Sequence, residues 1–185
     1  MLIDITLKIT PEIIKTVPGY TQTALAGHIG THFDVMNKEF PLEFTRRDGI
    51  AFDVSSIRGR DIEADDIDLS AVQKDMFVAF HTGYLEEVGY GTPEYYAAHP
   101  QLSDALIDLL LDKGVSIIGI DCSGVRRGME HTHKDQHCAD RGAFVVENLA
   151  ALRTVIENGS RFTAHTYPMN YEGITGLPCR VVAEV

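Results

Sequence analysis

The sequence predicts a single α/β domain with a mixed sheet, and three observations predict it. Short runs rich in β-branched and aromatic residues alternate with segments of helical periodicity. Two apolar runs, Val115–Ile120 and Ala143–Val146, are continuous, as strands buried on both faces are. No internal repeat, low-complexity tract or linker divides residues 1–185, and with 44% of the 185 residues hydrophobic the chain can bury one sizeable core.

The elements follow in order. Met1–Ile9 alternates polar and apolar residues in the manner of a half-buried strand. Pro11, Pro18 and Gly19 then punctuate a connection that leads to the apolar Ala24–Ala26. Ala51–Ile57 is a second strand, and acidic Asp61–Asp68 is a solvated loop before a strand at Met76–His81, which Thr82-Gly83 ends. Thr92 caps a short helix, Pro93–Ala98, with proline at its first position. Ser103 opens another, Asp104–Lys113, in which Ala105, Leu106, Leu109 and Leu110 recur at helical spacing before Gly114 stops it. Val115–Ile120 ends at Asp121, and Ala143–Val146 ends at Glu147. Asn148–Asn158 is predicted helical with Gly159 as its stop. Phe162–Tyr167 and Cys179–Val185 are the closing strands, and Gly173, Gly176 and Pro178 mark the loop between them.

Acidic residues outnumber basic ones by 27 to 16, a formal charge of −11, so the average surface repels polyphosphate and anionic lipid. Neither nucleic acid nor a membrane is an expected partner. Met1–Ile9 carries Asp4 without a basic flank or a long apolar run, which predicts a soluble, cytoplasmic protein. Cys122, Cys138 and Cys179 are an odd number at wide spacings, the pattern of reduced thiols rather than of a disulfide framework or a paired zinc site.

Five of the eight histidines fall in two short windows, and such clustering invites a metal. In Gly27–Asp34, His28, His32 and Asp34 would share one face of an extended strand while Ile29, Thr31 and Phe33 take the other. Gly30 falls on the ligand face, where the missing side chain leaves room for an ion or a substrate. The second window, Glu130–Cys138, adds His131, His133 and His137, Asp135 and a thiol in what its composition predicts to be a polar surface loop. Glu147 ends a buried strand, where a carboxylate needs a partner that offsets its desolvation, and a cation is one such partner. The same argument applies to Asp121, for which capping the Ser123-Gly124 turn is the simpler role.

On these residues the chain resembles the cyclase family of metal-dependent hydrolases, which includes bacterial kynurenine formamidases and isatin hydrolase-like enzymes. The resemblance centres on HxGTHxD at His28–Asp34. It extends through Phe80–Gly83, Tyr96–Ser103, Gly114–Asp121, Val146–Leu149 and Pro178–Ala183, in family order along nearly the whole chain. It implies a swivelling β/β/α fold around a barrel-like mixed sheet with flanking helices, a homo-oligomer (dimer or tetramer), and one or two zinc or manganese ions. By position, His28, His32 and Asp34 would be metal ligands, with Asp34 able to bridge two ions, and Glu147 the distal carboxylate ligand. Two positions depart from the formamidase pattern. Lys38 stands where those enzymes carry a catalytic histidine, and Asp135 stands at their distal histidine, with His133 and His137 two residues to either side. A lysine can act as a base only where burial or nearby cations lower its pKa; Asp135 as an oxygen ligand would favour manganese.

The expected function is therefore a metal-dependent amidohydrolase, cleaving an amide C–N bond of a small formamide, aryl amide or cyclic amide by attack of hydroxide generated on the metal. Thr31 would orient the water or fix a histidine ring. Lys38, His137 or Glu147, in that order, would serve the leaving nitrogen, and His81 and Tyr84 would contact substrate. The alternative expectation is a metal-binding domain of the same family without hydrolytic activity, acting as a ligand sensor or interaction protein.

Overall fold

The computed structural model describes residues 1–185. The apolar runs of the middle of the chain become neighbouring strands: β1 (Leu2–Asp4), β2 (His32–Asp34), β3 (Arg46–Asp53), β4 (Phe77–His81), β5 (Ile117–Ile120), β6 (Phe144–Glu147), β7 (Arg161–Thr166), β8 (Gly176–Pro178) and β9 (Val181–Glu184) form one sheet. Its order is β1-β9-β7-β3-β4-β5-β6-β2-β8. Strands β3 to β6 are parallel, and both flanks pair antiparallel. Phe77, Ala79 and Ile117 point to one face and Val78, Phe80, Ile118 and Ile120 to the other, all fully buried, as in a sheet covered on both sides.

The helices are α1 (Pro11–Thr16), α2 (Tyr20–Leu25), α3 (Tyr84–Val88), α4 (Pro93–Ala98), α5 (Asp104–Asp112), α6 (Glu130–Asp140) and α7 (Leu152–Glu157). No helix is long and apolar enough to cross a membrane. The sheet curls into a half-barrel: Thr6, just past β1 at one edge, bridges Leu149, just past β6 near the other. Ile5, Phe33, Phe77, Phe162 and Val181 fill the curl together with Leu152 and Val155 of α7. The outer face packs on Tyr84, Tyr95, Leu106, Ile107 and Leu110 from α3, α4 and α5. This is the expected α/β fold with a mixed, barrel-like sheet and flanking helices.

Several boundaries differ from the sequence expectation. The connection over Pro11–Ala26 is two short helices, the first capped by Thr10, whose side chain accepts from Ile13 N, with Pro11 in its first turn. The Met1–Ile9 strand is regular only over Leu2–Asp4, followed by the single bridge at Thr6. The strand expected at Ala51–Ile57 begins at Arg46 and ends at Asp53, because its first half pairs with β7. The Asn148–Asn158 helix starts only at Leu152, since Asn148 (φ 56°) and Ala151 (φ 52°) take the left-handed conformation. Gly176–Pro178, expected in a loop, is a strand beside β2. The polar window Glu130–Cys138 lies within helix α6.

Candidate metal centre

Strand alternation puts His32 and Asp34 on the same side of β2 and sends Phe33 into the core. The antiparallel register sets Glu147 of β6 directly opposite His32, on that same side. Helix α6 lies over this face, and His131 and Asp135, four residues apart, project together from it. His28 arrives by a route other than strand alternation: it precedes β2, and the chain turns at Gly30, where φ is +65°. Its ring is held by Thr175, whose hydroxyl lies 2.7 Å from Nε2, so that Nδ1 faces the cluster.

Two overlapping groups result, His28, His32 and Asp34 in one and Asp34, His131, Asp135 and Glu147 in the other. His28 Nδ1 is 2.9 Å from Asp34 Oδ1 and 3.1 Å from His32 Nε2, and His32 Nε2 is 3.5 Å from both Asp34 Oδ1 and Glu147 Oε2. His131 Nε2 is 3.1 Å from Asp135 Oδ2 and from Glu147 Oε1. Donors bound at about 2.0–2.2 Å to one ion are themselves about 3–3.6 Å apart, so this spacing suits a shared cation. Despite these approaches both oxygens of Asp34, Oδ1 of Asp135 and Oε1 of Glu147 are buried without a hydrogen bond. Three buried carboxylates left in that condition are costly unless a cation joins them. The residues present fit a divalent ion, and a candidate site for one is present.

The charges are strongly coupled. Burial opposes a charged His32, yet Asp34 and Glu147 outweigh it and hold the imidazole at about 9. His131 is driven up to about 12 by Asp135 and Glu147 against the same desolvation. Burial also opposes ionisation of Asp34, but His32 and His28 hold its carboxyl far below the carboxylate range. Burial and the Asp34 charge push Asp135 up to about 7 and Glu147 upward as well. Carboxylates and imidazoles thus set one another's charge states.

A hydrogen-bonded brace fixes the rings from behind. His32 Nδ1 donates to Gly30 O at 2.8 Å, which leaves Nε2 as the free lone pair. Asn148 Nδ2 donates to the same carbonyl, Tyr95 OH donates to Asn148 Oδ1, and Gly30 N donates to Tyr90 OH. His131 owes its position to Gly124: at φ +106°, a Cβ there would come within 2.9 Å of the imidazole and 2.8 Å of Arg126 O. A cavity of about 300 Å³ reaches the cluster past Met36, Thr132 and Thr175.

The structure thus brings together His28, His32, Asp34, Asp135 and Glu147. It places the other expected residues elsewhere. Lys38 Nζ is 2.7 Å from Asp140 on the surface, and His137 Nε2 is 2.9 Å from Asp108. Thr31 spends its hydroxyl on Asn148 O while accepting from Leu7 N, a tie between elements rather than a water contact. His81 is buried 3.2 Å from Asp121, and Tyr84 OH donates to Glu94 O. Asp121 caps Thr82 and Gly83 rather than the Ser123-Gly124 turn. His131 was missing from the expected ligands; the His-x-x-x-Asp spacing signals it once the window is known to be helical. Asn148, Tyr90, Tyr95 and Thr175 carry no sequence signal for their bracing roles.

Comparison with known proteins agrees with this architecture. The Cyclase family model matches residues 3–126. A solved structure of a potential metal-dependent hydrolase with cyclase activity is 22% identical, with 99% of this chain and 96% of that chain covered and a TM-score of 0.75. A predicted metal-dependent hydrolase from Bacillus stearothermophilus is 19% identical (99% and 97% covered, TM-score 0.74). Isatin hydrolase A from Labrenzia aggregata, bound to benzyl benzoate, is 17% identical (99% and 93% covered, TM-score 0.72). No curated protein sequence matches the chain.

Proposed function

The chain belongs to the Cyclase family, and from that footing we propose that it is a metal-dependent hydrolase cleaving the C–N bond of a small formamide, aryl amide or cyclic amide. The observation that carries the reading is Asp34: fully buried, shared by both donor groups, and without a hydrogen bond at either oxygen. His28 Nδ1, His32 Nε2 and Asp34 would hold one divalent ion, zinc or manganese, and His131 Nε2, Asp135 and Glu147 a second, with Asp34 between them. A bound divalent ion supplies Lewis acidity and a water of lowered pKa.

The side chains around it have separate tasks. Thr175 and the Gly30 carbonyl orient the His28 and His32 rings, so each presents one nitrogen without reorganisation. The cavity wall of Thr132, Thr175 and Met36 admits a small substrate with polar edges. Lys38 is engaged by Asp140; where a single ion sits on His28, His32 and Asp34, Asp135, which lines the cavity and keeps Oδ1 free, is the group placed to hold or move a proton toward the leaving nitrogen. The test is metal analysis of the purified chain followed by turnover assays on N-formylkynurenine and a panel of cyclic amides. Bound divalent metal with hydrolysis of at least one amide is expected; a chain that retains no metal sinks the reading. The position of Lys38 on Asp140 favours the second reading, a metal-binding domain without hydrolysis, for which stoichiometric metal and no turnover on the panel is the signature.

A further inference from the structure

The first turn of helix α6 carries His131, and the usual anchors of a helix start are missing from it. Met129 at the cap position offers no side-chain hydrogen bond, and the buried residues of the helix, Asp135, Cys138 and Ala139, all lie further along. Lys134, His137 and Arg141 pair with Asp104, Asp108 and Asp112 of α5, but these ion pairs are mostly exposed, individually weak, and also beyond the first turn. Gly124 leaves room for the His131 ring without holding it. Something outside the turn must therefore keep His131 over the cluster, 3.1 Å from Glu147.

Arg126 supplies that hold. It stands in the loop between β5 and α6, is only 8% exposed, and reaches three partners. Its Nε and Nη2 donate to Glu130 Oε2 at 3.0 and 2.5 Å, and its Nη1 donates to Asp61 Oδ2 at 2.6 Å and to Leu102 O at 2.9 Å. Glu130 is the first residue of α6 and the neighbour of His131. Leu102, at the other side of the clamp, is fixed ground: its amide donates to Val125 O, it bridges Ile62, and Ile62, Leu102 and Val125 are fully buried in the outer core. Next to the clamp, Arg127 N donates to Gln101 Oε1 at 2.7 Å, a second strap on the same loop. A planar guanidinium can hold two carboxylates and a carbonyl at fixed angles, whereas an ammonium on a flexible stem cannot.

We propose that Arg126 is a positioning residue for the metal centre: its clamp from Leu102 and Asp61 to Glu130 sets the start of α6 and so the place of His131 among the ligands of the second ion. The proposal rests on the metal reading above. The other group, His28, His32 and Asp34, stands on or just before β2 and does not hang on the clamp. Loss of Arg126 therefore weakens one ion and spares the other, which a general loss of stability would not do.

Manganese is the probe. The full chain, stripped of metal by chelator and titrated with manganese chloride, is followed by electron paramagnetic resonance, in which neighbouring ions couple and an isolated ion keeps its resolved hyperfine lines. Wild type should load two coupled ions. Arg126→Gln should bind the second about ten- to a hundredfold more weakly and show the isolated-ion spectrum, with the first ion bound as before. Arg126→Lys, which keeps the charge and loses the fork, should stay closer to Arg126→Gln than to wild type. Glu130→Ala cuts the clamp at an exposed side chain, so it should weaken the second ion in the same way even if Arg126→Gln does not fold. Arg141→Gln, at the other end of α6, should load both ions as wild type does. Unchanged affinity for the second ion in either clamp variant, when folded, overturns the role, and so does equal weakening of both ions or full rescue by lysine. A wild-type chain that holds a single ion overturns it by removing the second site. A wild-type chain that takes up no manganese overturns the metal reading itself, and this role with it.

Discussion

Two buried imidazole and carboxylate pairs lie near the carboxyl ends of adjoining strands, and they differ in how the carboxylate is satisfied. At the ends of β4 and β5, Asp121 lies 3.2 Å from His81 and also receives the Thr82 and Gly83 amides and the Thr82 hydroxyl. On β2 and β6, Asp34 and Glu147 meet three imidazoles, yet three of their four oxygens are buried without a hydrogen bond. In the first, the carboxylate is filled by turn donors and only the two nitrogens of His81 stay buried without a hydrogen bond. The second leaves lone pairs converging on one space, the condition for holding an ion. Residue type is the same in both; the supply of backbone donors separates structure from function.

The sharpest break of this contrast is Asp34→Ala or His32→Ala. Either should weaken retained divalent metal by more than about a hundredfold, and remove hydrolysis with it. Metal analysis after dialysis checks this; normal retention in both variants would erase the distinction between the two pairs. Asp121→Ala should do the reverse. It leaves His81 and three donors without their acceptor, so a loss of about 3–5 kcal/mol in urea unfolding is expected, while the folded fraction still takes up metal.

The His81 pair also predicts a pH dependence. Burial works against the charged ring, but Asp121 and then Glu86 and Asp53 raise its pKa above the usual 6.5. Its stabilisation is therefore complete below that value and is lost as pH rises through the elevated folded pKa. Unfolding of wild type and His81→Gln should differ most on the acid side of neutrality, above the carboxylate range, and converge on the alkaline side. A gap that widens with pH would contradict the ion pair.

Smaller effects refine the metal side. Asn148→Ala or Tyr95→Phe loosens the carbonyl that fixes His32, for which about ten- to a hundredfold weaker metal binding is expected with all ligands intact. Nitrogen chemical shifts of the metal-free His32 ring should change with it. The smallest effect belongs to Lys38→Ala. A half-exposed pair with Asp140 contributes about 0–1 kcal/mol, and activity should stay within about twofold; a large loss would return Lys38 to the catalytic role its position suggested.

Elements with strong local chemistry were legible. Helix α4 spans Pro93–Ala98 as expected because Thr92 caps it through Tyr95 N, and α5 follows from Ser103 in the same way. Glu147 was legible as a buried strand-end acid. Helix α6 was not, because its buried face consists of Asp135, Cys138 and Ala139, too few apolar groups to mark a period. With the helix hidden, His131 was hidden too. Lys38 illustrates the opposite error, in which a position implies a role that the side chain, turned toward Asp140, does not take up.

What the sequence determined alone is the kind of chemistry and its first donors: His28, His32 and Asp34 lie so close along the chain that any fold keeps them near each other. What only the tertiary structure decided is the other half of the centre. Antiparallel register placed Glu147 opposite His32, and the packing of a polar helix set His131 and Asp135 over both. Register and helix docking are long-range choices, made by the whole core at once, and no local spacing encodes them.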